Sequence, residues 1–135
     1  MAQKKTEANY SATIREASRE LSPKERVMFK DFSNAASLNE LAKETKLAGG
    51  KAVITFKDYA IIDIHNEASD NVDYAVYLII DKDGNKYYTS SETFWNKFLD
   101  IYSEMKVVDE EWSIELNLVA SKKYTGKEAL TCSLV

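Results

Sequence analysis

The stretch from Tyr74 to Ser90 constrains this chain more than any other. Two apolar runs, Tyr74 to Ile80 and Tyr87 to Ser90, flank Asp81-Lys82-Asp83-Gly84-Asn85-Lys86, and an Asp-Gly pair between such runs is the strongest short-range hairpin signal. Strand patterns surround it. Ala52 to Glu67 carries Val53, Ile54, Phe56, Tyr59, Ile61, Ile62 and Ile64, which reads as one long strand with a bulge or bend near Lys57-Asp58. Trp112, Ile114, Leu116 and Leu118 alternate with polar residues, and Leu130, Cys132 and Leu134 alternate at the end of the chain. One helix falls among the strands: Thr89 or Ser90 caps it, Glu92 completes a capping box, and Phe94, Phe98, Ile101, Tyr102 and Met105 share an apolar face with Trp95 and Leu99 beside it. That face needs a sheet to cover.

The first fifty residues read differently. Ser22-Pro23-Lys24-Glu25 combines a hydroxyl cap, a proline at the first helical position and a glutamate able to bond back to the cap. Ser37-Leu38-Asn39-Glu40 opens a second helix that ends near Ala48-Gly49-Gly50. Thr13 to Leu21, with Ile14, Ala17 and Leu21 at helical spacing, predicts a third. At Gly49-Gly50 the hydrophobic period changes from helical to alternating, which divides the chain into a helical extension over residues 1–50, packed on a barrel, and a strand-rich domain over residues 51–135.

The order strand, strand, strand, helix, strand, strand is that of the OB-fold, a five-stranded barrel that binds oligonucleotides on its second and third strands and on the loops joining strands 1–2 and 4–5. The expected class is therefore α+β, mainly β, an OB-fold-like barrel preceded by short N-terminal helices. Particular segments sharpen this. Ala60-Ile61-Ile62-Asp63-Ile64-His65-Asn66-Glu67, Tyr74 to Asp81 with its Asp-Gly turn, Ser90-Ser91-Glu92-Thr93-Phe94-Trp95, and the ending Ser121-Lys122-Lys123-Tyr124-Thr125-Gly126-Lys127-Glu128-Ala129-Leu130-Thr131-Cys132-Ser133-Leu134-Val135 resemble the small single-stranded-DNA-binding proteins encoded by bacteriophages of Gram-positive bacteria. The resemblance covers roughly the last 85 residues. It implies non-enzymatic binding of single-stranded DNA that protects intermediates of phage replication or recombination, in the host cytoplasm, with replication or recombination proteins as further partners. The chain lacks the acidic, apolar-tipped tail by which bacterial single-strand binders recruit partners, and its helical N-terminus is longer than a minimal OB-fold needs.

Single-strand binding requires lysines against phosphates and flat aromatic faces for bases. Taking Asp83-Gly84 as a two-residue turn sets Ile80 opposite Tyr87 and Ile79 opposite Tyr88, which turns Tyr77 and Tyr88 outward with Lys86 and turns Val76, Leu78, Ile80 and Tyr87 inward. Lys122, Lys123, Tyr124 and Lys127 make a second basic and aromatic group in the last hairpin turn. These seven residues are the expected DNA contacts. Trp95 and Trp112 fall on faces expected to be buried and are assigned to the core.

Charge and chemistry narrow the alternatives. Residues 1–57 carry 11 Lys/Arg against 7 Asp/Glu, residues 58–117 carry 4 against 14, and residues 118–135 carry 3 against 1. The net charge of -4 argues against coating duplex DNA by bulk charge, but not against a focused groove. One cysteine and one histidine allow neither an internal disulfide nor a four-ligand Cys/His zinc site. Asp81 to Glu92 imitates a calcium loop, yet Lys86 stands where that loop demands glycine. No phosphate-binding glycine loop is present, and neither catalysis nor a cofactor is expected. No apolar stretch or leader segment suggests a membrane. A protein-interaction module with no nucleic-acid affinity, such as a phage accessory protein, is the alternative function. The exposed end strands could equally pair between chains as a homo-oligomer.

Overall fold

The computed structural model describes residues 9–121 and 125–135. In chain order the elements are β1 (Tyr10–Ala17), α1 (Pro23–Phe29), β2 (Ala36–Ser37), α2 (Leu38–Leu47), β3 (Ala52–Asn66), β4 (Asp73–Asp81), β5 (Lys86–Thr89), α3 (Glu92–Met105), β6 (Ser113–Ala120) and β7 (Glu128–Leu134). The architecture is α+β and mainly β, a curled mixed sheet in the form of a half-barrel with three helices among the described residues. The sheet path runs β2-β5-β4-β3-β6-β7, with β1 added to β3; the β2–β5 pair is parallel and the others antiparallel.

Strand β3 produces the curl by changing partners along its length. Its first residues, Ala52 to Thr55, pair with β6; Ala60 to Asn66 pair with β1; and β4 follows it from Phe56 to His65. The expected bulge is present as a register shift between Phe56 and Asp58. One extra residue reverses the alternation, so that Phe56 and Tyr59 face the same side although they are three apart. Lys57 is the extra residue, and the buried Asp58 beside it accepts bonds from Ser18 Oγ (3.2 Å) and Arg19 Nε (3.1 Å).

Two cores lie on opposite sides of the β3–β4 pair. On the inner side Tyr59, Ile61, Tyr77 and Ile79 join Phe94, Trp95 and Phe98 of α3, Leu38 and Ala42 of α2, and Ile114, Leu116, Leu130 and Cys132. On the outer side Ala60, Ile62, Ile64, Val76, Leu78 and Ile80 join Leu21 and Phe29, with Ala12, Ile14, Phe32, Tyr74 and Tyr88 packed against them. A strand buried on both faces needs no polar alternation, which is why Ala75 to Ile80 is continuously apolar. Trp95 is buried as expected, stacked on Tyr77 with ring centroids 4.9 Å apart, and Trp112 stacks on Phe56 at 4.7 Å.

The helix starts follow local chemistry. Ser22 and Glu25 form a reciprocal capping box on α1, with Pro23 in its first turn, and Ser37 Oγ accepts the Glu40 N–H on α2. Helix α3 is capped by Ser91, one residue later than expected; Thr89 is buried instead, its hydroxyl donating to Asn39 and accepting the Ser91 N–H.

The helix predicted over Thr13 to Leu21 is a correction, because Tyr10–Ala17 forms β1 against β3. The cause is a second bulge. Register shifts between Ile14 and Glu16, leaving Arg15 as the extra residue, so Ile14 and Ala17 point to one core at a spacing of three that mimics a helix. Across this pair Arg15 forms an ion pair with Asp63, and the Tyr59 hydroxyl donates to Glu16 at 2.6 Å. Burial and that carboxylate both push the Tyr59 phenol well above its ordinary range.

The first prediction follows from the inner core. Phe98→Ala, at a fully buried ring, should lower stability by about 3–5 kcal/mol in denaturant unfolding. Trp95→Phe should cost far less than that, because Trp95 Nε1 is buried without a hydrogen-bond partner among the described residues, and phenylalanine removes the stranded donor along with part of the ring.

Candidate nucleic-acid interface

The β4–β5 hairpin decides which aromatic side chains face outward, and its loop differs from the expected one. The Asp81 N–H donates to Asn85 O (2.9 Å), the Gly84 N–H donates to Asp81 O (3.0 Å), and Gly84 adopts a φ of 88°. This is a three-residue loop, Lys82-Asp83-Gly84, a tight turn followed by a left-handed glycine. The Asp81 carboxylate stabilises it by accepting the N–H groups of Asp83 and Asn85, the Asn85 amide and the Tyr87 hydroxyl. Although burial opposes ionisation, these donors hold the Asp81 carboxyl below its usual range.

The longer loop shifts the pairing by one residue: Ile80 lies opposite Lys86, Ile79 opposite Tyr87, Leu78 opposite Tyr88 and Tyr77 opposite Thr89. Tyr77 is therefore not outward. It is 7% exposed, with Trp95 flat against it under α3, and presents no face to a base. Tyr87 shares the inner side. Lys86 and Tyr88 do share the outer side, but the segment from Ser18 to Ala35, which crosses it as a strap, meets both. Lys86 Nζ donates to Met28 O and Asp31 O, and Phe32 meets Tyr88 edge-on with centroids 6.2 Å apart. The two tyrosines and Lys86 thus do not form one surface.

Of the last hairpin turn, Lys122, Lys123 and Tyr124 lie outside the described residues. Lys127 is exposed, and its carbonyl accepts the Ser121 N–H at 2.8 Å to close the hairpin; Gly126, with a φ of 78°, turns the chain. Beside it Glu128 pairs with Lys46 at the end of α2. Burial pushes the Cys132 thiol up to about 11, so it is held as an unreactive core residue.

What the structure does bring together is a cleft of about 270 Å3 on the outer side, where the strap ends. Tyr10, Phe32, Tyr74 and Tyr88 line it over a floor of Ile64 and Val76, with Ser90 at the rim. Tyr10 is 56% exposed, whereas the other three rings are partly buried and held by the core beneath them. Four aromatic side chains around an apolar floor offer π-faces and little hydrogen-bonding specificity. Of these four, only Tyr88 is legible in the sequence. Tyr10 and Tyr74 are hidden there because β1 carries the spacing of a helix, and because the sheet has two apolar faces where its strand pattern predicts one.

Two other clefts have a different character. A groove of about 520 Å3 runs beside the stacked Phe56 and Trp112, but Lys57, Lys82 and Lys106 face Asp109, Glu110 and Glu111 there, so its charges largely cancel. A polar recess of about 370 Å3 holds Ser11, Thr13, Arg15, Asp63 and His65. His65 Nδ1 lies 2.7 Å from Asp73 and Nε2 lies 3.2 Å from Glu67, while Glu67 also accepts the backbone and side-chain N–H groups of Asn9. Among the described residues no group of His, Cys, Asp and Glu side chains could hold a metal ion, and no helix is long and apolar enough to cross a membrane. No family model, curated protein or solved structure matches the chain.

The His65 group sets the second prediction. Its bonds to Asp73 and then Glu67 raise the imidazole above the ordinary value of 6.5, so the protonated form is favoured by folding. The associated stability is complete below that ordinary value and fades as pH rises through the raised one. An NMR titration should place the His65 midpoint above 6.5, and Asp73→Asn should move it down.

Proposed function

We propose that this chain binds single-stranded DNA without catalysing a reaction, as an OB-fold-like protein whose stacking surface is the aromatic cleft on the outer side of β4 and β5. The observation that carries the reading is the gathering of Tyr10, Phe32, Tyr74 and Tyr88 around one apolar floor. Stacking on such rings is worth about 1–3 kcal/mol per base and tolerates any sequence, because every base has a π-face.

The strand order supports the same reading. From β3 onward the elements follow as strand, strand, strand, helix, strand, strand, with the first of these strands pairing the second and, through its other end, the fourth. In an OB-fold the second and third strands and the loops after strands 1 and 4 meet the oligonucleotide. Here those are β4, β5, the turn at residues 67–72 and the segment joining β6 to β7. In this reading Lys122, Lys123 and Lys127, with Tyr124 among them, act on phosphates. Protection of single strands during phage replication or recombination is the role this chemistry suits.

Anisotropy titrations with labelled oligo-dT test the proposal. Binding should prefer single strands to duplex, because stacked pairs hide their faces. Tyr74→Ala and Tyr88→Ala should each cost about 1–3 kcal/mol of affinity, and phenylalanine at either position should retain most of it. Replacing Lys122, Lys123 and Lys127 together by alanine should weaken binding to all sequences alike and lower the log–log salt slope by about 0.7 for each phosphate that is no longer neutralised. Absence of binding at low ionic strength would reject the reading and leave a protein-contact surface in its place.

A further inference from the structure

Lys86 projects from the outer side of β5 to the strap, where its ammonium donates to Met28 O at 2.8 Å and to Asp31 O at 2.6 Å. Met28 O also accepts the Asp31 N–H, at 3.2 Å, so the lysine takes its second lone pair at the C-terminal end of α1, where the helix dipole favours a cation. Two of the three ammonium hydrogens are committed in this way. Charge-assisted bonds of this kind are stronger than neutral ones. They grip the chain on the near side of Phe32. On the far side, the Asp31 carboxylate accepts the Ser33 N–H and hydroxyl, and the Ala35 N–H donates to Phe32 O at 3.0 Å. Phe32 is thereby held at the start of a closed turn, edge-on to Tyr88.

We propose that Lys86 is a positioning residue for single-strand binding: it latches the carbonyls of Met28 and Asp31 to β5 and so sets Phe32 as a wall of the aromatic cleft. This rests on the binding reading above and changes the role of Lys86 within it. A lysine at the edge of a DNA site is ordinarily read as a phosphate ligand; here its hydrogens are turned toward the protein's own backbone, and its effect on DNA passes through a neighbouring ring.

Native-state amide exchange and oligo-dT anisotropy, measured on the full chain and on Lys86→Met, Lys86→Arg, Phe32→Ala and the Lys86→Met/Phe32→Ala double variant, test this. Lys86→Met should speed exchange of the Ala35 amide about tenfold or more without DNA present. It should also weaken oligo-dT binding as much as Phe32→Ala does, with the double variant no weaker than either single one and the salt slope unchanged. Lys86→Arg, which keeps the donors, should restore both readouts. A salt slope lowered by about 0.7 in Lys86→Met would show that the ammonium neutralises a phosphate and overturn the proposal. Unchanged Ala35 exchange, or additive losses in the double variant, would overturn it as well. If the unmodified chain fails to bind oligo-dT, the binding reading falls, and with it the role of Lys86 in binding; the exchange comparison then still decides whether Lys86 holds the strap.

Discussion

Burial of the β3–β4 pair on both sides is the constraint on which the rest of the molecule depends. A sheet with one apolar face needs one cover; this pair, with Tyr59, Ile61, Tyr77 and Ile79 on one side and Ala60, Ile62, Ile64, Val76, Leu78 and Ile80 on the other, needs two. Helix α3 and the β6–β7 hairpin serve the inner side, whereas β1 and the strap serve the outer. The aromatic cleft exists because the second cover stops short: the strap turns away at Phe32 and leaves Tyr74 and Tyr88 bordering an open floor.

Bulges make the two-sided arrangement possible. At Phe56–Asp58 the extra residue lets one strand contribute Ile54 and Phe56 to the inner core and then Tyr59 and Ile61 to the same core after a change of phase. Asp58, next to the extra residue Lys57, is a buried carboxylate and requires partners. Ser18 and Arg19 provide them, and Arg19 continues to Glu25, whose own carboxyl is held down to about 2 by the guanidinium first and the Ser22 N–H second. An irregularity in the central strand thus becomes the anchor for the start of the strap. Ser18 reinforces it by exchanging bonds with Tyr59 through its N–H and its hydroxyl.

The sequence made legible those features that depend on a few adjacent residues. Ser22-Pro23-Lys24-Glu25 and Ser37 to Glu40 announced their helices because caps are local chemistry, and the bulge near Lys57 showed in the phase of the apolar residues around it. The hairpin itself was equally plain, but its loop length was not. Whether Asp81 begins a three-residue loop depends on the carboxylate accepting from Asp83, Asn85 and Tyr87, and one residue of difference moved Tyr77 to the inner side and left Lys86 and Tyr88 on the outer. Strand β1 was hidden for a related reason, since its bulge at Arg15 gave Ile14 and Ala17 the spacing of a helix. Tyr10, Phe32, Tyr74 and Tyr88 sit in four different parts of the chain, and no local pattern links them before β1 and the strap are placed on the sheet.

The two covers also differ in how the chain can reach them during folding. The β3–β4 and β4–β5 hairpins join neighbours in sequence, and α3 follows directly, so the inner core can begin to assemble from nearby segments. The outer cover is built entirely from long returns, as the β6–β7 part of the inner cover also is, where Leu116 pairs with Ala52: Arg15 meets Asp63 across 48 residues, and Lys86 meets Met28 across 58. Closing loops of that length is repaid only once the outer side of the sheet is there to receive them. Without the strap, Ile62, Leu78 and Ile80 would be an exposed apolar stripe on the sheet, so the strap also serves as an intramolecular guard against the association such a stripe invites.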